Sequence, residues 1–341
     1  MRVAIIGASG QVGTVMRSIL RERHFPVDEM RYFGSQHSSG TKLDWNGQSV
    51  VIEDTATADF TGIQIALASS GAASSRTLAP RLAAAGAIVI DNSSAWRMDP
   101  DVPLVVAEVN AHALATIPKG IVANPNCTTM AAMPVLKPLH DVAGLRSITV
   151  STYQAVSGAG REGVDELATQ LELSLEHDVR ILTFHGAAFS VRPGIKFPTT
   201  IAHNVIPMAG SVVDDGSRET GEEQKLRDES RKILEIHDLL VDATCVRVPV
   251  FTGHSLSITA SFERPLSPDD ATQILANAPG VVVHDMPTPR LVTGLDATYV
   301  GRIRRAETVA NGLSLFLSSD NLRKGAALNA VQVAEALLEL R

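Results

Sequence analysis

The chain begins with an apolar run, Val3-Ala-Ile-Ile6, that stops at Gly7-Ala-Ser-Gly10-Gln-Val-Gly13. Residues 1–20 therefore read as strand, glycine-rich turn and helix. The rhythm repeats. Met30–Gly34 reads as a second strand and Ile63–Ser69 as a third, turning at Ser70-Gly71. Ser74–Ala85 reads as a helix closed by Gly86. Ala87–Ile90 is a strand running out into Asp91-Asn-Ser-Ser94, and Leu104–Val106 and Gly120–Ala123 are short strands. Strands alternating with helices predict βαβ units and a parallel sheet.

The pattern changes near Leu145. Ser147–Tyr153, Val246–Phe251, Leu256–Phe262, Val281–His284, Tyr299–Arg304 and Gly312–Leu317 alternate and are rich in β-branched residues. They predict a mainly antiparallel sheet. Helices over Arg161–His177 and Glu219–Glu235 are expected to cover one of its faces, and Val212–Gly221 reads as a loop. Asn321–Leu340 carries apolar and polar positions at helical spacing. The expected fold class is α/β. An N-terminal Rossmann-like parallel-sheet domain is followed by an α+β domain with a mainly antiparallel sheet.

Length and composition narrow the classes. A chain of 341 residues suggests two domains. Apolar residues make up 45% but aromatics only 4%, so the cores must be aliphatic. A net charge of −7 with scattered basic residues argues against nucleic acid as the partner. No apolar run reaches membrane-spanning length, and Met1-Arg2 leads directly into a strand, so a cytoplasmic, reducing location is expected. Two cysteines, Cys127 and Cys245, give neither a disulfide framework nor zinc-ligand spacing, and no metal is expected.

Candidate chemistry gathers at turns. The glycines Gly7, Gly10 and Gly13 would let backbone approach a pyrophosphate at a helix N-terminus. After the second strand comes Ser35-Gln-His-Ser-Ser39, with no carboxylate for a ribose 2′-hydroxyl. Ser35, His37 and Ser38 could receive a 2′-phosphate instead. Cys127 follows Asn124-Pro-Asn126 and opens a helix-prone segment, where the helix dipole favours thiolate. His254 could take the thiol proton and return it. Arg247 could clamp a carboxylate, and the two bracket an expected strand, Val248–Phe251. Arg97 follows a strand end and suits an oxyanion; Glu222 and Lys225 share a helix face.

Six motifs, in order, carry a resemblance. They are Gly7–Gly13, Asp91-Asn-Ser-Ser-Ala-Trp-Arg97, Asn124-Pro-Asn-Cys-Thr-Thr129, Tyr153-Gln-Ala-Val-Ser-Gly-Ala-Gly160, Arg247-Val-Pro-Val-Phe-Thr-Gly-His254 and Asp320-Asn-Leu-Arg-Lys-Gly-Ala-Ala-Leu-Asn329. Together the chain resembles the aspartate-β-semialdehyde dehydrogenase family over essentially its whole length. The resemblance implies an NADP-dependent phosphorylating aldehyde dehydrogenase. It would reduce L-aspartyl-4-phosphate to L-aspartate-4-semialdehyde and phosphate, at the branch point to lysine (by diaminopimelate), threonine, methionine and isoleucine. It implies Cys127 as the nucleophile forming an acyl-thioester, His254 as acid/base and Gln154 as the residue orienting substrate. Arg247 would hold the α-carboxylate and Glu222 the α-amino group, while Arg97, Asn126 and Lys225 would form the phosphate site. Ser9, Gly10, Gln11, Val12, Ser157, Gly158 and Asn321 would contact the cofactor.

The same resemblance implies a homodimer. Residues 1–130, completed by a C-terminal helix at 321–341, would form the dinucleotide domain, and 131–320 the catalytic and dimerisation domain. One departure stands out: the family often has Ser-x-Arg-Ser after its second strand, and this chain has His37 at the arginine position. A sister phosphorylating dehydrogenase such as N-acetyl-γ-glutamyl-phosphate reductase, glyceraldehyde-3-phosphate dehydrogenase, and an inactive nucleotide-binding paralogue are the competing readings.

Overall fold

The structure, a computed structural model, describes residues 1–189, 191 and 194–340; Arg341, the end of the expected segment 321–341, lies outside them. The first sheet contains β1 (Arg2–Ile6), β2 (Glu29–Gly34), β3 (Lys42–Trp45), β4 (Gln48–Asp54), β5 (Ile65–Ala68), β6 (Ile88–Asp91) and β7 (Ile121–Ala123), in the order β3-β4-β2-β1-β5-β6-β7. All its pairings are parallel except the β3–β4 hairpin. That hairpin was not expected, although Asn46-Gly47 signals it: both residues have positive φ, as a tight two-residue hairpin turn requires. Helices α1 (Gln11–Glu22), α2 (Ala72–Ala84) and α3 (Ala107–Asn110) belong to this half. Leu104 of the expected short strand pairs with Ala123 as an isolated bridge.

α4 (Cys127–Ala143) joins the halves. It is apolar nearly all round, which is the pattern of a buried helix. Met130, Met133, Leu136 and Leu139 enter one continuous core shared by both sheets. Beyond it come β8 (Leu145–Gln154), α5 (Arg161–Ser174), α6 (Gly221–Leu234), β9 (Leu240–Arg247) and β10 (His254–Phe262). They are followed by α7 (Pro268–Ala276), β11 (Val281–Val283), α8 (Pro289–Val292), β12 (Thr298–Ala306), β13 (Gly312–Ser319) and α9 (Asn329–Glu339). The second sheet runs β11-β12-β13-β10-β8-β9. Its three central pairings are antiparallel, and a parallel pairing stands at each edge.

Three expectations about this half are corrected. The strand expected over Val246–Phe251 ends at Arg247, and Val248–Phe251 is irregular. Pro249 has no N–H for a ladder, and the carbonyls of Val250 and Phe251 accept from Val156 and Ser157 instead. α5 does not cover the sheet. It packs a small separate core in which Leu167 meets Val156, Phe197, Ile201 and Ile206. The sheet is covered by α4, α6 and the unexpected α7. Finally, the helix expected from Asn321 starts as a wide-wound turn at Arg323–Leu328 before becoming α9.

α9 returns to the parallel sheet. Ala330, Val331, Val333, Ala334 and Leu337 pack in the core beneath β1, β5 and α1. Asn329 ties this join with polar bonds. Its Nδ2 donates to Val105 O at 2.7 Å and Asn124 Oδ1 at 2.6 Å, and its Oδ1 accepts from Ala107 N. Buried amides that are fully paired in this way fix one register. Among the described residues no helix is long and apolar enough to cross a membrane.

Candidate active site

The parallel strands deliver their C-terminal ends to one edge, where ligands bind in such sheets. At that edge the turn after β1 is tight. Gly7 has φ 81°, and a Cβ there would lie 2.4 Å from Ser69 O. A Cβ on Gly13 would lie 2.3 Å from Gly7 O. Only glycine permits this close winding. Gly10 caps α1 without any side-chain hydrogen bond, so the first-turn N–H groups of the helix remain available to an anion. This cradle fits a dinucleotide pyrophosphate. Ser35, His37 and Ser38 lie in the turn after β2, with Ser35 and His37 exposed, and none of the three lines the cavity that meets this cradle.

A cavity of about 490 Å³ runs from this turn to the start of α4. Ser9, Gly10, Gln11 and Val12 line one end, and Asn126, Cys127 and Arg97 the other, with Ser157, Gly158 and Asn321 between. Ser157 and Asn321 hold each other, Asn321 Nδ2 donating to Ser157 Oγ at 2.9 Å. Asn321 Oδ1 also accepts from Gly253 N at 2.8 Å, tethering the turn that leads into His254.

Cys127 is the first residue of α4, and Asn126 is its N-cap, accepting from Thr128 N at 3.0 Å. The local expectation of a helix-start thiol is met. The expectation that its position favours thiolate is not. Burial, reinforced by the negative Glu222, pushes the thiol up to about 12, against the pull of Arg247, Arg97 and Lys225. Cys127 is half-buried and lines the cavity. The wide turn at Arg323–Leu328 brings backbone onto it: a Cβ on Gly325 would lie 2.8 Å from Cys127 Cβ.

Glu222 is a hub. Its Oε1 accepts from Lys225 Nζ at 2.7 Å, and its Oε2 accepts from Asn126 Nδ2 at 3.0 Å and Gln154 Nε2 at 3.3 Å. Burial alone would raise its pKa, but the Lys225 charge and these donors hold the carboxyl at about 2. The structure thus brings together Gln154, Asn126, Glu222 and Lys225, which come from three separate segments.

Arg97 is buried and committed on three sides. Nε donates to Asn124 O at 2.9 Å, Nη2 to Asn92 O at 2.8 Å and Nη1 to Glu229 Oε1 at 2.9 Å. A guanidinium has five N–H groups, so one on each Nη remains for a ligand. Glu229, which sequence reasoning missed, also accepts from Asn126 N at 2.6 Å. Lys232, another miss, donates to the carbonyls of Arg97, Asp99 and Val102. The signal was present: residues 222, 225, 229 and 232 repeat at helical spacing and form one polar stripe along α6.

His254 opens β10 and is completely buried. Its Nδ1 accepts from Ala155 N at 3.0 Å, while Nε2 is buried with no partner. Burial, with Arg247 beside it, lowers its pKa to about 3. Arg247 closes β9, and its Nη1 donates to Ala155 O at 2.7 Å. Cys245 is fully buried in β9. Among the described residues no group of His, Cys, Asp or Glu is arranged to hold a metal ion.

Comparison with known proteins places this geometry. Residues 2–117 match the semialdehyde dehydrogenase NAD binding domain, and residues 136–324 the semialdehyde dehydrogenase dimerisation domain. Aspartate-semialdehyde dehydrogenase of Streptomyces akiyoshiensis is 62% identical, with 98% of each chain covered. The crystal structure of aspartate semialdehyde dehydrogenase II complexed with ASA from Vibrio cholerae superposes with TM-score 0.93 at 39% identity, covering 99% of this chain and 98% of that one. The Candida albicans enzyme crystallised with NADP has TM-score 0.75 at 25% identity, covering 99% and 98%.

Proposed function

The chain belongs to the aspartate-semialdehyde dehydrogenase family, a family of oxidoreductases, and from that premise we propose the reaction and the role of each residue. The enzyme carries out NADPH-dependent reductive dephosphorylation of L-aspartyl-4-phosphate, giving L-aspartate-4-semialdehyde and phosphate. The observation that carries this reading is the single cavity with the glycine turn at one end and Cys127, at a helix start, at the other.

In the mechanism, the Cys127 sulfur attacks the acyl-phosphate carbonyl, phosphate leaves and a thioester joins the chain. The turn Gly7–Gly13 with Ser157, Gly158 and Asn321 would hold NADPH, which when bound would supply the hydride that reduces the thioester. The tetrahedral adduct on sulfur then collapses to aldehyde. Arg247 holds the α-carboxylate in a bidentate pair, and Glu222 takes the α-amino group. Glu222 is already ionised and sits among donors, so an ammonium can replace the Lys225 contact without protonation of the carboxylate. The two free N–H groups of Arg97, with Lys225 and Asn126, seat the phosphate. Gln154 orients the acyl group, and His254 acts as acid/base, taking the thiol proton in acylation and returning it to the sulfur on collapse.

NADP is favoured over NAD because residues 35–40 offer hydroxyls and His37 but no carboxylate to repel a 2′-phosphate. Residues 1–130 with 321–341 act as the dinucleotide domain, and 131–320 as the catalytic and dimerisation domain. A homodimer forms through the uncovered face of the second sheet, where Thr149, Ser151 and Tyr153 of β8 alternate outward. The thiol chemistry requires a reducing compartment, the cytoplasm. The product feeds lysine, threonine, methionine and isoleucine synthesis.

The test is reduction of NADP by aspartate semialdehyde, with and without phosphate, with NAD run beside it. Phosphate-dependent turnover is expected, and Cys127→Ala should abolish it while NADP binding survives. Turnover independent of phosphate, or an active alanine variant, would overturn the reading.

A further inference from the structure

The wide turn at Arg323–Leu328 winds with five-residue spacing: Gly325 N donates to Asp320 O at 2.9 Å and Ala327 N to Leu322 O at 3.1 Å. Such winding is rare and gathers at functional sites. Here it carries part of the cavity wall, Leu322, Gly325 and Ala326. Gly325 rests against Cys127 with no room for a side chain, since a Cβ would lie 2.8 Å from Cys127 Cβ. A slip of one residue would rotate the turn by about 100°. It would bring a neighbour that has a Cβ, Lys324 or Ala326, to the place of Gly325.

Local propensity does not select the wide form. Apart from Gly325, Arg323-Lys-Gly-Ala-Ala-Leu328 consists of good α-helix formers. A tertiary contact does select it. Lys324 is wholly buried, which a lysine almost never is unless paired. Its Nζ donates to Glu108 Oε1, and the same oxygen accepts from Gln332 Nε2 at 2.9 Å. Glu108 stands on α3, which Asn329 ties to α9 through Ala107 N at 2.9 Å. The anchor is therefore itself fixed. The neighbouring Arg323 reaches Glu22 and Asp296, but those carboxylates are half exposed, and surface pairs hold little.

The inner cluster is not built for stability. Glu108 Oε2 and Gln332 Oε1 are buried with no partner among the described residues. A buried pair left partly unsatisfied costs stability more than it supplies. Neither Lys324, Glu108 nor Gln332 lines the cavity, so none of them meets substrate. The remaining use of such a pair is to fix a register.

We propose that Lys324 and Glu108 are positioning residues: their buried pair locks the wide winding of residues 323–328 and so seats Gly325, the one residue of the turn without a side chain, on Cys127. The lock sets the packing beside the sulfur and the shape of the wall that Leu322 and Ala326 share. It rests on the reaction proposed above only in taking Cys127 as the nucleophile.

The test removes both charges together in the full enzyme, with Lys324→Met/Glu108→Gln. Replacing a buried ion pair by uncharged groups of similar volume is close to neutral for stability, so Tm should hold. The unlocked turn slips, cannot seat a Cβ against Cys127 and stands off. Alkylation by iodoacetamide without cofactor or substrate, followed on the Cys127 peptide by mass spectrometry, should therefore quicken severalfold. This arm needs no turnover, so it reports on the lock even if the proposed reaction fails. In the kinetic arm, kcat should fall by about tenfold or more while the KM for aspartate semialdehyde barely moves. Gln332→Leu keeps both charges and removes only the second donor to Glu108 Oε1. It should move both readouts the same way by less, and it carries the test if the double variant does not fold. Alkylation no faster than in the wild type, or a kcat that falls only in step with Tm, overturns the inference.

Discussion

Glu229→Gln isolates the least visible support of the site. Glu229 is buried, and its two oxygens serve Arg97 and the N–H of Asn126, the residue that caps the helix bearing Cys127. Glutamine keeps the volume and can still accept from Arg97 with its oxygen. Its amide then sets a donor against the Asn126 N–H, and the guanidinium loses its counter-charge. An orphaned buried N–H costs about 1–3 kcal/mol, and breaking a buried ion pair about 3–5 kcal/mol. Arg97 retains the carbonyls of Asn124 and Asn92 and touches the cavity. The lower end, about 4 kcal/mol in total, is therefore expected. At about 2 cal/mol/K of unfolding entropy per residue, this corresponds to a fall of about 6 °C in Tm. Displacing the cap should also lower kcat by about tenfold, since small misplacements at a reacting atom are costly. Thermal unfolding with and without phosphate provides the assay. Phosphate should restore more stability to the variant than to the wild type, because the dianion replaces the lost counter-charge on Arg97. An unchanged Tm, or a fall that phosphate does not offset, refutes the reasoning.

Four other outcomes follow. Gly325→Ala forces a methyl group onto the Cys127 Cβ and should cut kcat more than tenfold, at a stability cost of about 1–3 kcal/mol; unchanged kcat would free Gly325 of this role. Arg247→Lys exchanges a fork for a point charge and should lower kcat/KM for aspartate semialdehyde far more than it lowers Tm; equal kcat/KM would remove Arg247 from the substrate site. His37→Arg should lower the KM for NADPH and leave that for NADH unmoved, whereas no change would take the turn after β2 away from the 2′-phosphate. Glu222 has its folded pKa depressed to about 2 from an ordinary 4.5, so its stabilisation is complete above about 4.5 and is lost as pH falls towards 2. Glu222→Gln should flatten acid unfolding in that window, and an unaltered acid limb would contradict the assignment.

Local patterns carried most of the fold. The glycine turn at 7–13 and the β-branched alternation after Leu145 are nearest-neighbour signals, and β1, α1, β8 and β10 follow from them. Val248–Phe251 misled because its apolar alternation survives Pro249, and only the pairing with Val156 and Ser157 reveals the irregular backbone. The site residues were legible as motifs, but their chemical states were not. A helix start does promote thiolate, yet burial and Glu222 outweigh it at Cys127, and both arise from tertiary packing. The backbone N–H that meets His254 Nδ1 belongs to Ala155, ninety-nine positions away. Glu229 and Lys232 were readable as the continuation of a helical stripe, but their partners on the Arg97 loop were not.

The central claim is that carbon becomes covalently attached to the Cys127 sulfur. Enzyme mixed with aspartate semialdehyde and NADP in the absence of phosphate, quenched in acid and mapped by mass spectrometry, tests it directly. The peptide containing Cys127 should gain one aspartyl acyl group, and added phosphate or hydroxylamine should remove it. An unmodified Cys127 peptide after a full burst of NADPH formation, or the same adduct on Cys127→Ala protein, would contradict the account.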